Sequence, residues 1–305
     1  MDWIAQNVSA FLFFSILRVT TPVLFAAVGG MITQFAGVLN IALEGMMLFS
    51  AFTSLLVAAN SGSLLLAVIV GIATGVALSL VFAFFSLGLK GNIFIVGLAT
   101  NLFATAATAY VTQAVFGRAG VVNILGTPVL PGIDLPIIGS IPVIGPVISG
   151  HSALVYISWI CVAIVAFIVH RTAFGWRVRA TGENPDGVRS LGLSVTKLQL
   201  GAILISGVLC GLAGSQMSLS LGVFVQDMTA GRGWIGLIAA ALGAGSFVRT
   251  ALAALLFGSA IGVANLLQTS GAGLHPKLEL MIPYIFTVIV FVIYAARQRR
   301  RSAAL

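Results

Sequence analysis

Long apolar runs separated by short polar breaks dominate this chain. A hydrocarbon core of about 30 Å takes about 20 residues of apolar helix. Nine stretches approach or exceed that length: 9–32, 42–60, 63–89, 92–117, 152–170, 198–219, 234–247, 250–268 and 279–296. The pattern predicts an all-α integral membrane protein of about nine transmembrane helices (8–10), forming one transmembrane domain over 1–305. Two segments are too short or too broken by glycine for plain spans. One is 33–45, with Gly37 and Gly45; the other is 231–247, with Gly231, Gly233, Gly236, Gly243 and Gly245. Short, glycine-interrupted segments in corresponding halves mark places where backbone lines a path through a membrane protein.

Two longer polar or irregular segments interrupt the pattern. In 118–150, Pro128, Pro131, Pro136, Pro142 and Pro146 break any helix. Such backbone cannot face lipid, so the segment reads as an external loop over the bundle mouth, either a partner's docking surface or a structural cap. The other segment, 171–197, is polar and basic, with Arg171, Arg177, Arg179, Arg189 and Lys197. It contains a helix start: Asn184 as N-cap, Pro185 at the first helical position and Asp186 in the first turn. A short capped helix in a water-exposed loop gives a soluble partner a rigid element to push on.

Composition agrees with the pattern. Hydrophobic residues make up 59% and charged residues 7%, against about 25% charged in soluble domains. Asp2 and the absence of Lys or Arg from the first ten residues argue against a cleavable signal peptide. The net charge of +8 does not indicate nucleic acid, because no basic patch interleaves with aromatics. The basic residues sit at span ends instead. Lys90, the five in 171–197, Arg249, Arg297, Arg299, Arg300 and Arg301 fall on one side of a nine-span topology, and Arg118, Arg232 and Lys277 on the other. That asymmetry puts the N-terminus outside and the C-terminus in the cytoplasm. Arg18 lies within a span, where it either snorkels outward or marks an interfacial start to the first helix.

Candidate chemistry is sparse. Glu44 is the one acid well inside the apolar sequence of the first half. A carboxylate there is expensive and by default functional. It either bonds Asn40 or the amides of the broken segment, or staples the 33–45 turn at the interface. Proton relay lacks an intramembrane partner. Asn101, Gln113, Gln216, Asn265 and Gln268 lie inside spans. Their amides either read a polar solute or bond between helices. Asn101 and Asn265, being mid-span, join Asn40 and Glu44 as candidate substrate-path residues. The G-x-x-x-G pairs Gly71/Gly75, Gly207/Gly211 and Gly258/Gly262 suit close helix packing. Cys161 and Cys210 read as reduced packing residues, and His151, His170 and His275 sit at span edges; none has metal-ligand spacing. No phosphate-cradling G-x-x-x-x-G-K-[ST], zinc-protease or serine-elbow motif occurs in a suitable context. No enzyme activity and no bound cofactor or metal is therefore expected, and energy must come from another chain or an ion gradient.

Gly182-Glu183-Asn184-Pro185 followed by Gly192 resembles the coupling loop of permease subunits of bacterial ATP-binding-cassette (ABC) importers. Gly37-Val38-Leu39-Asn40-Ile41-Ala42-Leu43-Glu44-Gly45 is similar to the N-I-G-x-E-G element of the branch that handles nucleosides, simple sugars and branched-chain amino acids. Ala42 stands where that element has Gly, and Gly187-Val188 where the coupling helix has an Ala pair. The resemblance spans nearly the whole chain and implies a permease in the bacterial cytoplasmic (inner) membrane. Gly182, Glu183, Asn184, Pro185, Asp186, Val188, Leu191 and Gly192 would contact a partner ATPase. That partner would bind ATP and Mg. Glu183 or Asp186 would meet a basic groove, Val188 and Leu191 would fill an apolar cleft, and Gly192 would end the helix. A second, related permease subunit would complete the path, and an external binding protein or lipoprotein would deliver solute over 118–150. Nucleoside is the first substrate implied, then simple sugars of the ribose type and branched-chain amino acids. The rival classes are an ion-coupled secondary transporter, which needs paired intramembrane charges where only Glu44 and Arg18 stand, and a membrane-embedded enzyme, which needs a clustered catalytic site.

Overall fold

The computed structural model describes residues 2–117, 120–136 and 145–270, and four helical residues beyond: Ile285, Val288, Ile289 and Val292. The helices are α1 (Asp2–Phe35), α2 (Leu43–Ser61), α3 (Leu64–Ala83, continued by a π-turn at Phe84–Gly88), α4 (Ile93–Phe116), α5 (Gly145–Ile148), α6 (Ala153–Arg171), α7 (Ala173–Glu183), α8 (Pro185–Ser190), α9 (Val195–Leu219), α10 (Arg232–Gly243) and α11 (Phe247–Ser270). Among the described residues seven of these are long and apolar enough to cross a membrane: α1 from Phe11, α2, α3 with its π-turn, α4, α6, α9 and α11 to Gln268.

The structure therefore corrects one expected span. The stretch 234–247 holds most of α10, which ends at Gly243, has 12 residues and a length of about 18 Å, too short to cross alone; Phe247 already opens α11. The span expected at 279–296 lies largely outside the described residues. Boundaries elsewhere shift by a few residues for local reasons. The Ser194 hydroxyl accepts from Lys197 N at 3.4 Å, so α9 starts at Val195 rather than 198. α1 continues through Pro22 to Phe35. Proline leaves the Arg18 carbonyl without its helical donor, and Gln216 Nε2 donates to it at 3.5 Å.

The bundle is built around α1 and α9. α1 packs against α9, α10, α11 and α6, while α9 packs against α2 and α3. The α3–α9 seam uses the glycine pairs. Cβ added at Gly75 would meet Gly211 N at 2.9 Å, and at Gly211 it would meet Ile72 Cα at 2.5 Å. Only residues without side chains allow these backbones so close. Gly262 faces Ile16 of α1 in the same way. All three G-x-x-x-G pairs thus face helices of the same chain.

At one end of the bundle, four short strands depart from a purely helical architecture. β1 (Val121–Asn123) pairs antiparallel with β4 (Val223–Val225), and β2 (Gly132–Ile133) with β3 (His151–Ser152). They pin the proline-rich segment to the bundle: Val122 and Phe224 are buried, and Leu130 N donates to the Leu219 carbonyl at 3.0 Å. At the other end lie Lys90, Arg171, Arg177, Arg179, Arg189, Lys197 and Arg249. The chain returns from β4 to this basic end through residues 226–231 and then α10, so only the second half of that passage is helical.

Candidate functional site

Both broken segments meet inside the bundle. α1 ends with Gly37 at φ +73° and Val38 N donating to the Thr33 carbonyl at 2.9 Å, a left-handed helix stop. Residues 38–42 then turn back into the bundle. Asn40 is fully buried; its Nδ2 donates to Ser206 Oγ at 3.0 Å and its Oδ1 accepts from Ala42 N at 3.1 Å. Asn101, on α4, accepts from Gly45 N at 2.8 Å and donates to the Ile41 carbonyl at 2.9 Å. These two amides start α2 deep in the protein by satisfying backbone groups that would otherwise be orphaned.

Glu44, in the first turn of α2, reaches the other break. Its Oε1 accepts from Gly231 N at 2.8 Å and its Oε2 from Gly233 N at 2.7 Å. These are amides at the start of α10, where N–H groups lack helical partners and the helix dipole is positive. The carboxylate therefore lies between two helix N-termini with two charge-assisted bonds, an arrangement that offsets part of its desolvation. Gly233 must be glycine here, because a Cβ would meet Glu44 N at 2.6 Å. Glu44 bonds neither Asn40 nor the 33–45 turn; its partners lie 187 and 189 residues away.

α10 has an uneasy frame. It is preceded by Ala230 at φ +43° and Gly231 at φ +76°, and followed by Ala244 at φ +43° and Gly245 at φ +81°. A non-glycine residue in this region costs about 1–2 kcal/mol. Gly231 provides no side-chain cap, so Glu44 supplies it from another helix.

Beside the α10 start lies a cavity of about 510 Å³ between α1, α9 and α11. Its polar lining includes Ser15, Arg18, Gln216, Ser220, Arg232 and Asn265. Arg18 donates to the Ser220 carbonyl at 3.4 Å, and Arg232 to the Met228 carbonyl at 2.8 Å. Of the four expected path residues only Asn265 lines this space. Glu44 is half-buried at the α10 start, Asn40 is committed to the Ala42 amide and the Ser206 hydroxyl, and Asn101 to backbone. The arginines were not among the expected path residues. Arg18 within an apolar run was the available signal; Arg232 read as an external loop residue because α10 read as a span.

A smaller neighbouring cavity, of about 100 Å³, is lined by Arg18, Phe14 and His151. His151 stacks on Phe14 with ring centroids 4.0 Å apart. Its Nε2 lies 2.9 Å from the Val147 carbonyl, which makes it the protonated nitrogen, and its buried Nδ1 has no partner. Burial holds its pKa below the ordinary 6.5; the Val147 bond opposes this and the Arg18 charge adds to it.

At the basic end the capped helix is formed as its sequence specifies. Asn184 Oδ1 accepts from Gly187 N at 2.9 Å, Pro185 opens α8, and Gly192, at φ +74°, follows its end. Glu183, Asp186 and Leu191 are exposed, and Asp186 pairs with Arg189 at 2.6 Å. Val188 departs from expectation: it is 3% exposed and anchors α8 to the bundle, so it cannot fill a partner's cleft in this conformation. Gln199 Nε2 donates to the Ala36 carbonyl at 3.2 Å, and the Arg179 guanidinium stands 5.9 Å from the Phe35 ring centre. The Gln199 bond ties α9 to the end of α1, while Arg179 over Phe35 and the close approach of Gly182 to Phe35 and Gly37 tie α7 to it. No group of three or more metal-ligating side chains occurs among the described residues.

The family model described as branched-chain amino acid transport system / permease component matches residues 12–292. The nucleoside ABC transporter permease protein NupC of Lactococcus lactis subsp. cremoris (strain MG1363) is 32% identical over 93% of this chain and 92% of its own. The guanosine ABC transporter permease protein NupQ of Bacillus subtilis (strain 168) is 29% identical over 90% and 89%. A Haloferax volcanii permease provisionally named for glucose, TsgC13, is 33% identical over 87% and 80%. A solved ABC transporter described as metal-chelate type and inward-facing superposes with a TM-score of 0.52 at 16% identity, over 93% of this chain and 85% of that one. That last likeness concerns the fold alone.

Proposed function

The chain belongs to the permease-component family of branched-chain amino acid transport systems, and we propose that within it this protein moves a nucleoside inward across the bacterial cytoplasmic membrane. As an ABC permease it is a multi-pass membrane protein and a transport subunit rather than an enzyme; in this family ATP is bound by a partner ATPase. The observation that carries the proposal is α8, a capped helix at the basic end with Glu183, Asp186 and Leu191 exposed. The excess of Lys and Arg there supports a cytoplasmic location, with the N-terminus outside and the C-terminus inside. ATP binding by the docked ATPase pair moves α7–α8, and with them the end of α1. A second, related permease completes the path. A binding protein or lipoprotein delivers solute at the strand-bearing end, near the 510 Å³ cavity.

Nucleoside is favoured by NupC and NupQ, two relatives named for that class and matched over most of their length. A simple sugar is the second reading, favoured by TsgC13 at similar identity; a branched-chain amino acid comes third. The test is uptake by proteoliposomes holding this chain, its partner permease, ATPase and binding protein. Labelled nucleoside should enter only with ATP, and unlabelled nucleosides but not ribose, glucose or leucine should compete. Competition by sugar alone would overturn the substrate assignment. Uptake driven by an ion gradient without ATP would overturn the mechanism.

A further inference from the structure

One side chain, Glu44, bonds the Gly231 and Gly233 amides at the start of α10, a helix otherwise held by packing. Both its ends carry left-handed residues, Ala230 and Gly231 before it and Ala244 and Gly245 after it. Its sides are smooth, with Gly236 on Ala26 and Ala27 and Ala240 near Gly30. Its first residue, Arg232, lines the cavity. Its far end leads into Phe247, whose ring lies 6.1 Å from Phe35 and 5.7 Å from His170, and Arg179 of α7 stands over Phe35. One short rod thus runs from the docking end to the cavity, and between its N-terminus and α2 stands the Glu44 carboxylate. The α2 side of that link is clamped by Asn40 and Asn101.

We propose that α10 transmits movement of α7–α8 to the cavity, and that Glu44 is the positioning residue that latches it in the conformation described. The latch uses charge as well as shape. A carboxylate presents an acceptor to each of the Gly231 and Gly233 amides, whereas a glutamine presents one oxygen and turns an NH₂ donor toward the other amide. Substituting Glu44 by Gln keeps the volume, loses one bond and sets donor against donor. Release of the latch lets α10 move without the ATPase, so hydrolysis and uptake come apart. The Arg232 end of the cavity moves with it.

This inference rests on the importer reading, so the test separates the two. Hydrogen–deuterium exchange is followed in the assembled complex in nanodiscs, on peptides covering 226–237 and, as reference, the α3–α9 seam. Glu44→Gln should speed exchange at 231–235 at least tenfold and leave the seam unchanged. Uptake should fall tenfold or more while ATP hydrolysis continues, and Glu44→Asp should lie between. Unchanged exchange in Glu44→Gln, or faster exchange with uptake and hydrolysis still coupled as in wild type, overturns the latch. If Glu44→Gln does not assemble, the wild-type complex decides. A non-hydrolysable ATP analogue should speed exchange at 231–235 and not in the seam, and no change there overturns the proposal. Exchange is scored without substrate. Failure of the wild-type complex to import nucleoside would therefore count against the functional reading and leave the latch to its own result.

Discussion

The two broken segments solve the same problem differently. Both start a helix within the bundle, where the first amides lack helical partners and are bonded by side chains instead. The first break is closed by side chains dedicated to it: Asn40 caps Ala42, and Asn101 bridges Ile41 and Gly45. The second has no cap of its own, has an alanine in left-handed conformation on each flank, and borrows Glu44 from the first. The difference separates an anchor from a part hung on it. Both helices pack into the bundle, but the first has its start capped by side chains of its own break, whereas the free amides at the start of α10 depend on one remote carboxylate.

The largest expected effect comes from breaking the anchor. Asn101→Ala leaves the Gly45 amide and the Ile41 carbonyl buried without partners, at about 1–3 kcal/mol each. Thermal unfolding in detergent should show a loss of about 2–6 kcal/mol. A loss below about 0.5 kcal/mol would place the first break in the same class as the second. Next comes the proposed docking face. Glu183→Arg combined with Asp186→Arg should lower uptake about tenfold or more, equivalent to about 1.4 kcal/mol, while insertion stays intact; unchanged uptake would remove these acids from the ATPase contact. Smaller again is Ala244→Gly, which relieves left-handed strain and should stabilise the chain by up to about 1 kcal/mol. A destabilisation would show that the α10 flanks are not strained.

The smallest effect concerns His151, at the end remote from α8. Its pKa is lowered by burial, so the folded state resists a proton that the unfolded chain accepts. Stability should be flat above the ordinary value of 6.5 and decline as pH falls below it, through the interval down to the depressed folded value. His151→Asn should flatten that decline. A profile that rises on acidification would reverse the assigned direction.

Spans were legible wherever an apolar run exceeded the length of a bilayer core, as in α3, α4 and α6, because hydropathy and length alone decide the matter there. Local polar punctuation was equally readable: Asn184-Pro185-Asp186 places an N-cap, a first-turn proline and a first-turn acid in sequence, and α8 starts there. What escaped was non-local. Residues 234–247 are as apolar as a span, and hydropathy does not distinguish a crossing helix from a short helix entered through a run of turns. The β1–β4 pairing joins residues about 100 positions apart through strands of three residues each, too short for an alternating pattern. Glu44 could be recognised as an intramembrane acid, but its partners are backbone amides of glycines, which carry no chemical signature of their own. Val188 could be placed on α8 but not on its inner face, since six residues give too few turns for a periodicity. The cavity joins residues of α1, α9, α10 and α11; Asn265 alone of the four expected path residues lines it, together with Gln216 from the wider set of in-span amides.

On the function proposed, this permease receives its energy through α8. The direct measurement is recovery of the tagged chain from native membranes in mild detergent, with mass spectrometry of what accompanies it, beside the Glu183→Arg/Asp186→Arg variant. Wild type should bring an ATP-binding subunit and a second permease, and the variant should keep the permease and lose the ATP-binding subunit. Recovery of the wild-type chain alone, in detergent and again in nanodiscs, would contradict the account.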